Sequence, residues 1–407
     1  MKARLLVFTS TFPRWKDDTD PPFVFELCRR LSSEFDVFVI TPHYPGALAE
    51  EVIEDIQVRR FRYFLPKFEK LAGSVGILPT LRHNKFYYMV VPFFLIAGFF
   101  SLLRATMSVK PDLIHAHWLV PQGFAAYIVN LLTRRPYIAT AHGADVFGLK
   151  KPIFRKARLM VQQSAFAVTA VSNSLKDKLD AEYGEPDRNE IIVLPMGVDS
   201  TLFDAESESK PEDRFLRPTN ILFVGRLTEK KGVSYLIKAM PALVLRYPGI
   251  HLTVVGSGEL AGKLEIEVDD LGINGNVTFI GAVPNNALPS FYRHHSIFIG
   301  PSIEADGGDT EGFGLTFVEA AMSGCLLIGT DVGGIKDIII DGVTGFLVKQ
   351  RNSDAITEKV IYALENRSLV RKMVQKGSER CKEKYDWKII ADQYSQIYQR
   401  AISENRK

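Results

Sequence analysis

Short runs of β-branched and aromatic residues alternate along the chain with longer stretches whose apolar positions recur every three or four residues. The first pattern suits buried strands and the second amphipathic helices, so their alternation predicts parallel sheets flanked by helices. In the first half the strand candidates are Arg4 to Ser10, Val37 to Thr41, Val58 to Tyr63, Leu113 to Ala116, Tyr137 to Ala141, Ala165 to Ala170 and Ile191 to Leu194. The second half supplies Asn220 to Val224, His251 to Val255, Val277 to Ile280, Ile297 to Gly300, Leu326 to Gly329 and Gly345 to Val348. Between the two sets, Gly197 to Pro218 is polar, acidic and aperiodic, as a linker is. The expectation is an α/β protein of two doubly wound, Rossmann-like domains, 1–197 and 219–386, joined by a linker over 198–218. Ligands in such folds sit beyond the C-terminal ends of the strands, so two of these domains facing each other make a deep cleft.

Helix signals agree. Pro21 and Pro22 precede a stretch in which Phe23, Leu27 and Leu31, with Val24 and Cys28, follow helical spacing. Trp387 to Ile402 reads as an amphipathic helix with Ile389, Ile390, Tyr394, Ile397, Tyr398 and Ile402 on one side. No strand candidate follows it, so 387–407 either caps its own domain or crosses back to the first.

A length of 407 residues with 46% hydrophobic and 24% charged residues supports two full cores and excludes long disorder, collagen and coiled coil. Cys28, Cys325 and Cys381 are far apart and show neither a disulfide framework nor zinc spacing, which fits a reducing cytoplasm. The N-terminus has a basic start, but its apolar run Leu5 to Phe8 is too short for a signal segment and reads as a first strand.

The net charge of +3 hides an asymmetry. From Ile56 to Met160 there are 16 Lys and Arg against Glu69, Asp112 and Asp145, a local charge of +13 that leaves −10 for the remainder. Inside this window Phe86 to Leu103 is an uncharged run of 18 residues, interrupted by Pro92 and Gly98 and flanked by Arg82, His83, Lys85 and Arg104. Three placements suit it: a core helix with one side facing a membrane, a deeper monotopic insertion, or a true span. A span would put the two flanking α/β stretches on opposite sides of a bilayer. Nucleic acid is a poor partner for the basic window, because its charges interleave with this apolar stretch and no recognised binding motif accompanies them.

Candidate chemistry concentrates in the second half. The run Pro301 to Gly324 follows a predicted strand, and Gly312 and Gly314 make a loop that feeds a helix whose first turn is near Leu315 to Phe317. Free amides at a helix start, with no side chain at the two glycines to block approach, form an anion site for which diphosphate is the obvious ligand. Glu311 before this helix can accept hydrogen bonds from sugar hydroxyls, and Glu319 about two turns in can accept two from a ribose diol. The segment Phe223 to Gly232 leaves another strand and places Arg226 and Lys231 where a guanidinium and an ammonium grip phosphate oxygens from two directions. Asp306, Asp309 and Glu311 are the residue types that ligate a divalent ion, but the nearby Lys and Arg already supply the neutralising charge. The glycines of Val254 to Leu260 fit a plain strand-to-helix turn.

With these elements in place the chain resembles the retaining GT-B glycosyltransferases of family four, which include phosphatidylinositol mannosyltransferases and exopolysaccharide-type transferases. The resemblance runs through TSTFPRWKDDTDPPFVFEL, HAHW at His115 to Trp118, TAHGADV at Thr140 to Val146, VGRLTEKKG, VVGSGEL, FIGAVPNNALPSFY at Phe279 to Tyr292 and EGFGLTFVE. It implies the GT-B fold and transfer of a hexose from a UDP- or GDP-sugar to a lipid-linked or polysaccharide acceptor, with retention at the anomeric carbon and no required metal or other cofactor. Arg226 and Lys231 would stabilise the leaving diphosphate, Glu311 would orient the donor sugar and Glu319 the ribose. Backbone groups of Ile280 to Val283 would face the base, Gly312, Phe313, Gly314 and Leu315 would line the phosphates, and His142 would lie across the cleft near the reacting sugar. The departing phosphate would take the acceptor proton. The acidic stretch Asp306 to Asp309 resembles the subset acting on cell-envelope polysaccharide or lipid-linked glycans. A nucleotide-sugar epimerase on the same fold and a non-catalytic binding protein are the rival readings.

In the first domain, His115 and His117 at a strand end are expected to face opposite ways, one of them into the core, and Trp118 to pack. Ser10 to Pro22 departs from the double-glycine loop of many relatives, leaving Thr11, Phe12 and Arg14 as its cleft candidates. The basic window around Phe86 to Leu103 suggests peripheral contact with an anionic membrane from the cytoplasmic side.

Overall fold

Leu5, Leu6, Val7 and Phe8 are all buried, and only a strand covered on both faces holds so continuous an apolar run. In the computed structural model, which describes residues 2–16, 18–20, 22–73, 76–183, 190–204 and 220–405, this strand is the centre of the first of two sheets. The chain divides into two compact units, Met1–Gly197 with Trp387–Lys407, and Val198–Asp386.

Unit 1 begins with β1 (Ala3–Phe8), α1 (Phe23–Leu31), β2 (Phe35–Pro42), β3 (Glu50–Ile53), β4 (Ile56–Phe61), α2 (Ile77–His83) and α3 (Tyr87–Val109). It continues with β5 (Leu113–His117), α4 (Phe124–Thr133), β6 (Tyr137–Ala141), α5 (Ala144–Phe147), α6 (Pro152–Ser164), β7 (Ala167–Ala170), α7 (Asn173–Tyr183) and β8 (Ile191–Val193). The strands lie in the order β3-β4-β2-β1-β5-β6-β7-β8. All neighbours are parallel except β3 and β4, an antiparallel hairpin of which the expected strands included only β4, as Val58 to Tyr63. Its two-residue turn is Glu54–Asp55, with φ of 45° and 66°. Glu in the left-handed region is not a turn signal, which is why the pattern hid it.

Unit 2 comprises β9 (Asn220–Val224), α8 (Val233–Arg246), β10 (His251–Val255), α9 (Ala261–Asp270), β11 (Val277–Gly281), α10 (Leu288–His294) and β12 (Ile297–Gly300). It then adds α11 (Leu315–Met322), β13 (Leu326–Thr330), α12 (Ile335–Ile338), β14 (Phe346–Val348), α13 (Ser353–Glu365) and α14 (Arg367–Tyr385). Its parallel strands run β11-β10-β9-β12-β13-β14. Leu236, Ile237 and Met240 of α8 and Val360 of α13 pack with Ile221, Leu252 and Ile328 in its core. The first part of the expected linker docks here: the Val198 N–H donates to Tyr385 O at 2.8 Å, and Phe203 lies 5.8 Å from Tyr292. Residues 205–218 of that linker, and Pro21, lie outside the described residues.

Each sheet has one place where the strand order reverses, between β1 and β5 in unit 1 and between β9 and β12 in unit 2. At such a point the loops leaving neighbouring strands turn to opposite faces and open a crevice.

The last helix, α15 (Trp387–Asn405), belongs to unit 1, where it packs beside α1 over β5. Ile389 points outward and Ile397 is half-buried, while Ala391, Ser395 and Ala401 join the buried face. Small residues let this helix approach closely, and its two buried tyrosines find partners. Tyr398 Oη lies 2.7 Å from His115 Nδ1, His115 Nε2 2.8 Å from Thr140 Oγ1, and Thr140 Oγ1 2.6 Å from Thr169 Oγ1. Tyr394 Oη donates to Leu194 O at 3.2 Å. One direction satisfies this chain: Tyr398 donates to His115, His115 to Thr140, and Thr140 to Thr169.

α3 contains most of the uncharged run, and Tyr87, Val90, Phe94, Gly98, Leu102, Ala105 and Thr106 of one face are buried. Gly98 faces the sheet closely, since a Cβ there would lie 3.3 Å from the rings of Phe8 and Phe61. The helix is therefore bound to its own sheet along its length, which rules out a true span.

Candidate active site

In unit 2 the site begins where β9 ends. Gly225 N–H donates to Val255 O at 3.0 Å, Leu227 N–H to Ser257 O at 2.9 Å, and Leu260 N–H to Leu227 O at 3.1 Å, so the turn after β10 backs the loop that carries Arg226. A Cβ on Gly256 would lie 1.9 Å from Gly225 O. The glycines of that turn thus serve close backbone approach. A short turn at Glu229–Lys231 is closed by Gly232 at φ 63°, where a Cβ would lie 2.0 Å from Pro301 O. This glycine presses the β9 loop against the β12 loop and brings Lys231 to Glu311.

Lys231 Nζ pairs with Glu311 Oε2, and Lys230 Nζ lies 3.3 Å from Asp309 Oδ1. Burial pushes the Glu311 carboxyl up, but Lys231, Lys230 and Arg226 outweigh it and hold the group below its ordinary value. The loop after β13 fixes the Glu311 backbone: Gly334 N–H donates to Glu311 O at 3.1 Å, and a Cβ on Gly333 would lie 2.0 Å from that oxygen. Gly314, at φ 102°, turns the chain into α11. The first amides of that helix, at Leu315 and Thr316, have no intrahelical partner. Phe313 beside them is buried against Tyr385 at 5.2 Å. Glu319 lies on the next turn of α11 and accepts the Tyr292 hydroxyl at 2.8 Å. Burial pushes its carboxyl up to about 7, against the opposing pull of Tyr292 and Lys231. Ile280 and Val283 lie at and beyond the end of β11, at the same C-terminal edge of this sheet, with Ile280 42% exposed. Gly281 O there accepts Gly256 N–H at 2.8 Å.

The structure therefore brings Arg226, Lys231, Glu311, Glu319 and the 312–315 loop together at the reversal point of the second sheet. Asp309 and Glu311 each face a lysine, while exposed Asp306 donates its N–H to Glu229 at 3.1 Å. Among the described residues no three His, Cys, Asp or Glu converge as metal ligands. Tyr292, Lys230 and Gly333 escaped the sequence reading, since each owes its place to an element distant in sequence.

In unit 1, His142 follows β6. Its ring lies 4.7 Å from Trp118 and 5.2 Å from Phe23, and its Nε2 is 3.0 Å from His117 Nδ1. His115 and His117 do not point apart: their rings are 4.1 Å from each other, because residues two apart on a strand share a face. Both are buried. Burial lowers the His142 imidazole to about 3, so it is neutral at ordinary pH. His117 Nε2 is buried and has no hydrogen-bond partner among the described residues, which an unprotonated nitrogen tolerates better than an N–H. His117 Nδ1–H accordingly donates to His142 Nε2 and leaves the proton of His142 on Nδ1. Asp145 fixes this turn by accepting the N–H groups of His142 at 3.2 Å, Gly143 at 3.0 Å and Leu119 at 2.7 Å. An aspartate three residues after the histidine is the signal that could have revealed it.

The loop after β1 corrects one expectation. Arg14 is buried, with Nε 2.8 Å from Asp18 Oδ2 and its guanidinium 4.7 Å from the rings of both Trp15 and Tyr44. It clamps its own loop. Phe12 is likewise buried, 5.7 Å from Phe25, and Thr11 N–H donates to Thr9 Oγ1 at 3.2 Å.

Two doubly wound, mainly parallel sheets, the second carrying basic and acidic loops at its reversal point, match the GT-B fold. Residues 22–202 match the family Glycosyltransferase Family 4 and residues 204–380 match Glycosyl transferases group 1, and the chain belongs to this glycosyltransferase family. It is 28% identical to an uncharacterised glycosyltransferase of Methanocaldococcus jannaschii, over 87% of this chain and 93% of that one. It is 31% identical to a GDP-mannose-dependent alpha-(1-6)-phosphatidylinositol monomannoside mannosyltransferase of Mycolicibacterium smegmatis, over 56% of this chain and 60% of that one. Among solved structures, Anabaena HepE in complex with UDP superposes with a TM-score of 0.73 at 16% identity, covering 97% of this chain and 98% of its own. These relatives do not favour the epimerase reading.

Proposed function

We propose that the protein is a retaining, metal-independent hexosyltransferase using a UDP- or GDP-sugar. Its acceptor is a hydroxyl of a lipid-linked or polysaccharide glycan of the cell envelope, met at the cytoplasmic face of the membrane. The observation that carries this reading is the convergence of Arg226, Lys231, Glu311 and Glu319 at the reversal point of the unit 2 sheet. Breaking the bond between the anomeric carbon and the diphosphate leaves negative charge on the departing oxygen, and Lys231 and Arg226 supply the opposing charge. Lys231 has three donors, so it holds Glu311 while reaching a phosphate oxygen. Glu311, kept ionised by its lysine, accepts from sugar hydroxyls, and Glu319 accepts from the ribose diol. The amides at the start of α11 receive the diphosphate, and the backbone of Ile280 to Val283 receives the base. The new bond forms on the face the leaving group vacates, and the departing phosphate oxygen takes the acceptor proton. His142 of unit 1 is assigned to catalysis as well, its Nδ1–H being the donor that the bond to His117 leaves over.

Similarity to a GDP-mannose-dependent mannosyltransferase and to a protein solved with UDP and with UDP-glucose supports the donor class. A thermal-shift screen with UDP, GDP, ADP and their sugars identifies the donor, because a ligand bound only by the folded chain raises its melting point. Lys231→Ala and Glu311→Ala then abolish transfer from that donor while circular dichroism stays unchanged. Full activity in either variant removes the proposed site, and an inverted product anomer by NMR removes retention.

A further inference from the structure

Among the described residues nothing covers the outer face of α3. With 23 residues the helix is about 34 Å long, enough to cross a bilayer, yet its inner face is held on the sheet. Tyr88, Met89, Phe93, Ile96, Phe100 and Met107 of the outer face are each 52–68% exposed. Beside them α4 exposes Leu131 and Leu132. A run of large apolar side chains along a whole helix exceeds what a soluble surface ordinarily leaves in water.

The surrounding charge selects the occupant. From Lys70 to Ala144 the sole acidic residue is Asp112, and its carboxylate accepts the Arg4 N–H at 2.9 Å. Exposed Arg82 and Lys85 precede α3, Arg104 and Lys110 lie at its far end, and Arg134 follows α4. We propose that the outer face of α3 docks into one leaflet of an anionic membrane, the helix lying in the bilayer plane with its apolar side chains among the upper acyl chains and the flanking cations at the headgroups. A cationic frame around an apolar face matches headgroups above hydrocarbon. Two copies meeting through this face would instead bring like charges together. The surface rests on the membrane-side reading above for its purpose, but its test does not depend on transfer.

Flotation of the full chain with phosphatidylglycerol-containing vesicles, against phosphatidylcholine alone, should show binding only to the former and release in high salt. Phe93→Glu with Ile96→Glu should weaken that binding by about tenfold or more, as should Arg82→Glu with Lys85→Glu. Both variants should keep the wild-type melting curve and its shift by UDP or GDP, since the altered side chains are exposed and outside the nucleotide site. A Phe93→Trp chain should be quenched more by bromines near the top of the acyl chain than by bromines near its end. The proposal is overturned if wild type ignores anionic vesicles, if the glutamate pair floats like wild type, or if deep bromines quench best. It also falls if the wild type is a dimer in solution that Phe93→Glu with Ile96→Glu makes monomeric. Loss of transfer with flotation intact strikes the functional reading and leaves this surface standing.

Discussion

Glu319 is half-buried, bonded to a tyrosine and pushed up to about 7, so its charge changes within the working range of pH. A ribose diol is held best by the ionised carboxylate, and nucleotide affinity should therefore fall as pH drops below about 7. Calorimetric titration with UDP or GDP across that range would show the fall in wild type and a flat profile in Glu319→Gln. Tyr292→Phe removes a hydrogen bond that lowers the pKa, so its midpoint should move to higher pH. For stability the sign is opposite: the raised carboxyl favours the folded state below its ordinary 4.5 and loses that contribution as pH rises through about 7. His117 offers a second test. Its bond to His142 Nε2 holds the neutral ring in one tautomer, so His117→Leu should lower kcat by roughly tenfold while nucleotide affinity, set by unit 2, is unchanged. Glu311, Arg226 and Lys231 were legible because each follows a strand in a loop of recognisable chemistry, and Glu319 because it lies on the helix that this loop feeds. Tyr292 and His117 were not, since the partner that gives each its role comes from another strand or helix.

At the scale of elements, the site depends on backbones that touch. Gly333 stands at φ 52° with Glu311 O where a Cβ would be, so Gly333→Ala must displace the β12 loop or the β13 loop. Backbone strain of this kind costs about 1–3 kcal/mol. The expected result is a lower melting temperature together with loss of the shift that nucleotide produces, whereas a lower melting temperature with the full shift would separate the glycine from the site. The same scale explains what the pattern of apolar positions could and could not reveal. Strands buried on both faces read as continuous apolar runs and were placed to within a few residues, whereas β3 is a four-residue edge strand with no buried residue. The uncharged run of α3 left three placements open, because length and composition do not say which face meets a sheet; Gly98 against Phe8 and Phe61 shows which face does.

At the scale of the whole molecule, unit 1 is assembled from two separated stretches of chain, with unit 2 between them in sequence. Tyr398 is fully buried in α15 and satisfies His115 Nδ1. Tyr398→Ala should cost about 3–5 kcal/mol, as large aromatic truncations in cores do, and its effect should fall on unit 1. Limited proteolysis of this variant, read by mass spectrometry, should cut first within Met1–Gly197 and leave a fragment close to Val198–Asp386. Equal attack on both units would contradict this division of stability. The crossing of α15 was open at the level of sequence because an amphipathic helix with no strand after it fits either sheet, and only its buried hydroxyls have a specific address.

That address imposes an order on synthesis. A ribosome must make the 189 residues of Val198–Asp386 before it can make α15, which at about 5–20 residues per second takes roughly 10–40 seconds. Through that interval the face of the first sheet that α15 will cover, including His115, is without its helix. The first unit begun is thus the last completed, and the nascent chain must keep an unfinished core from aggregating while the second unit emerges.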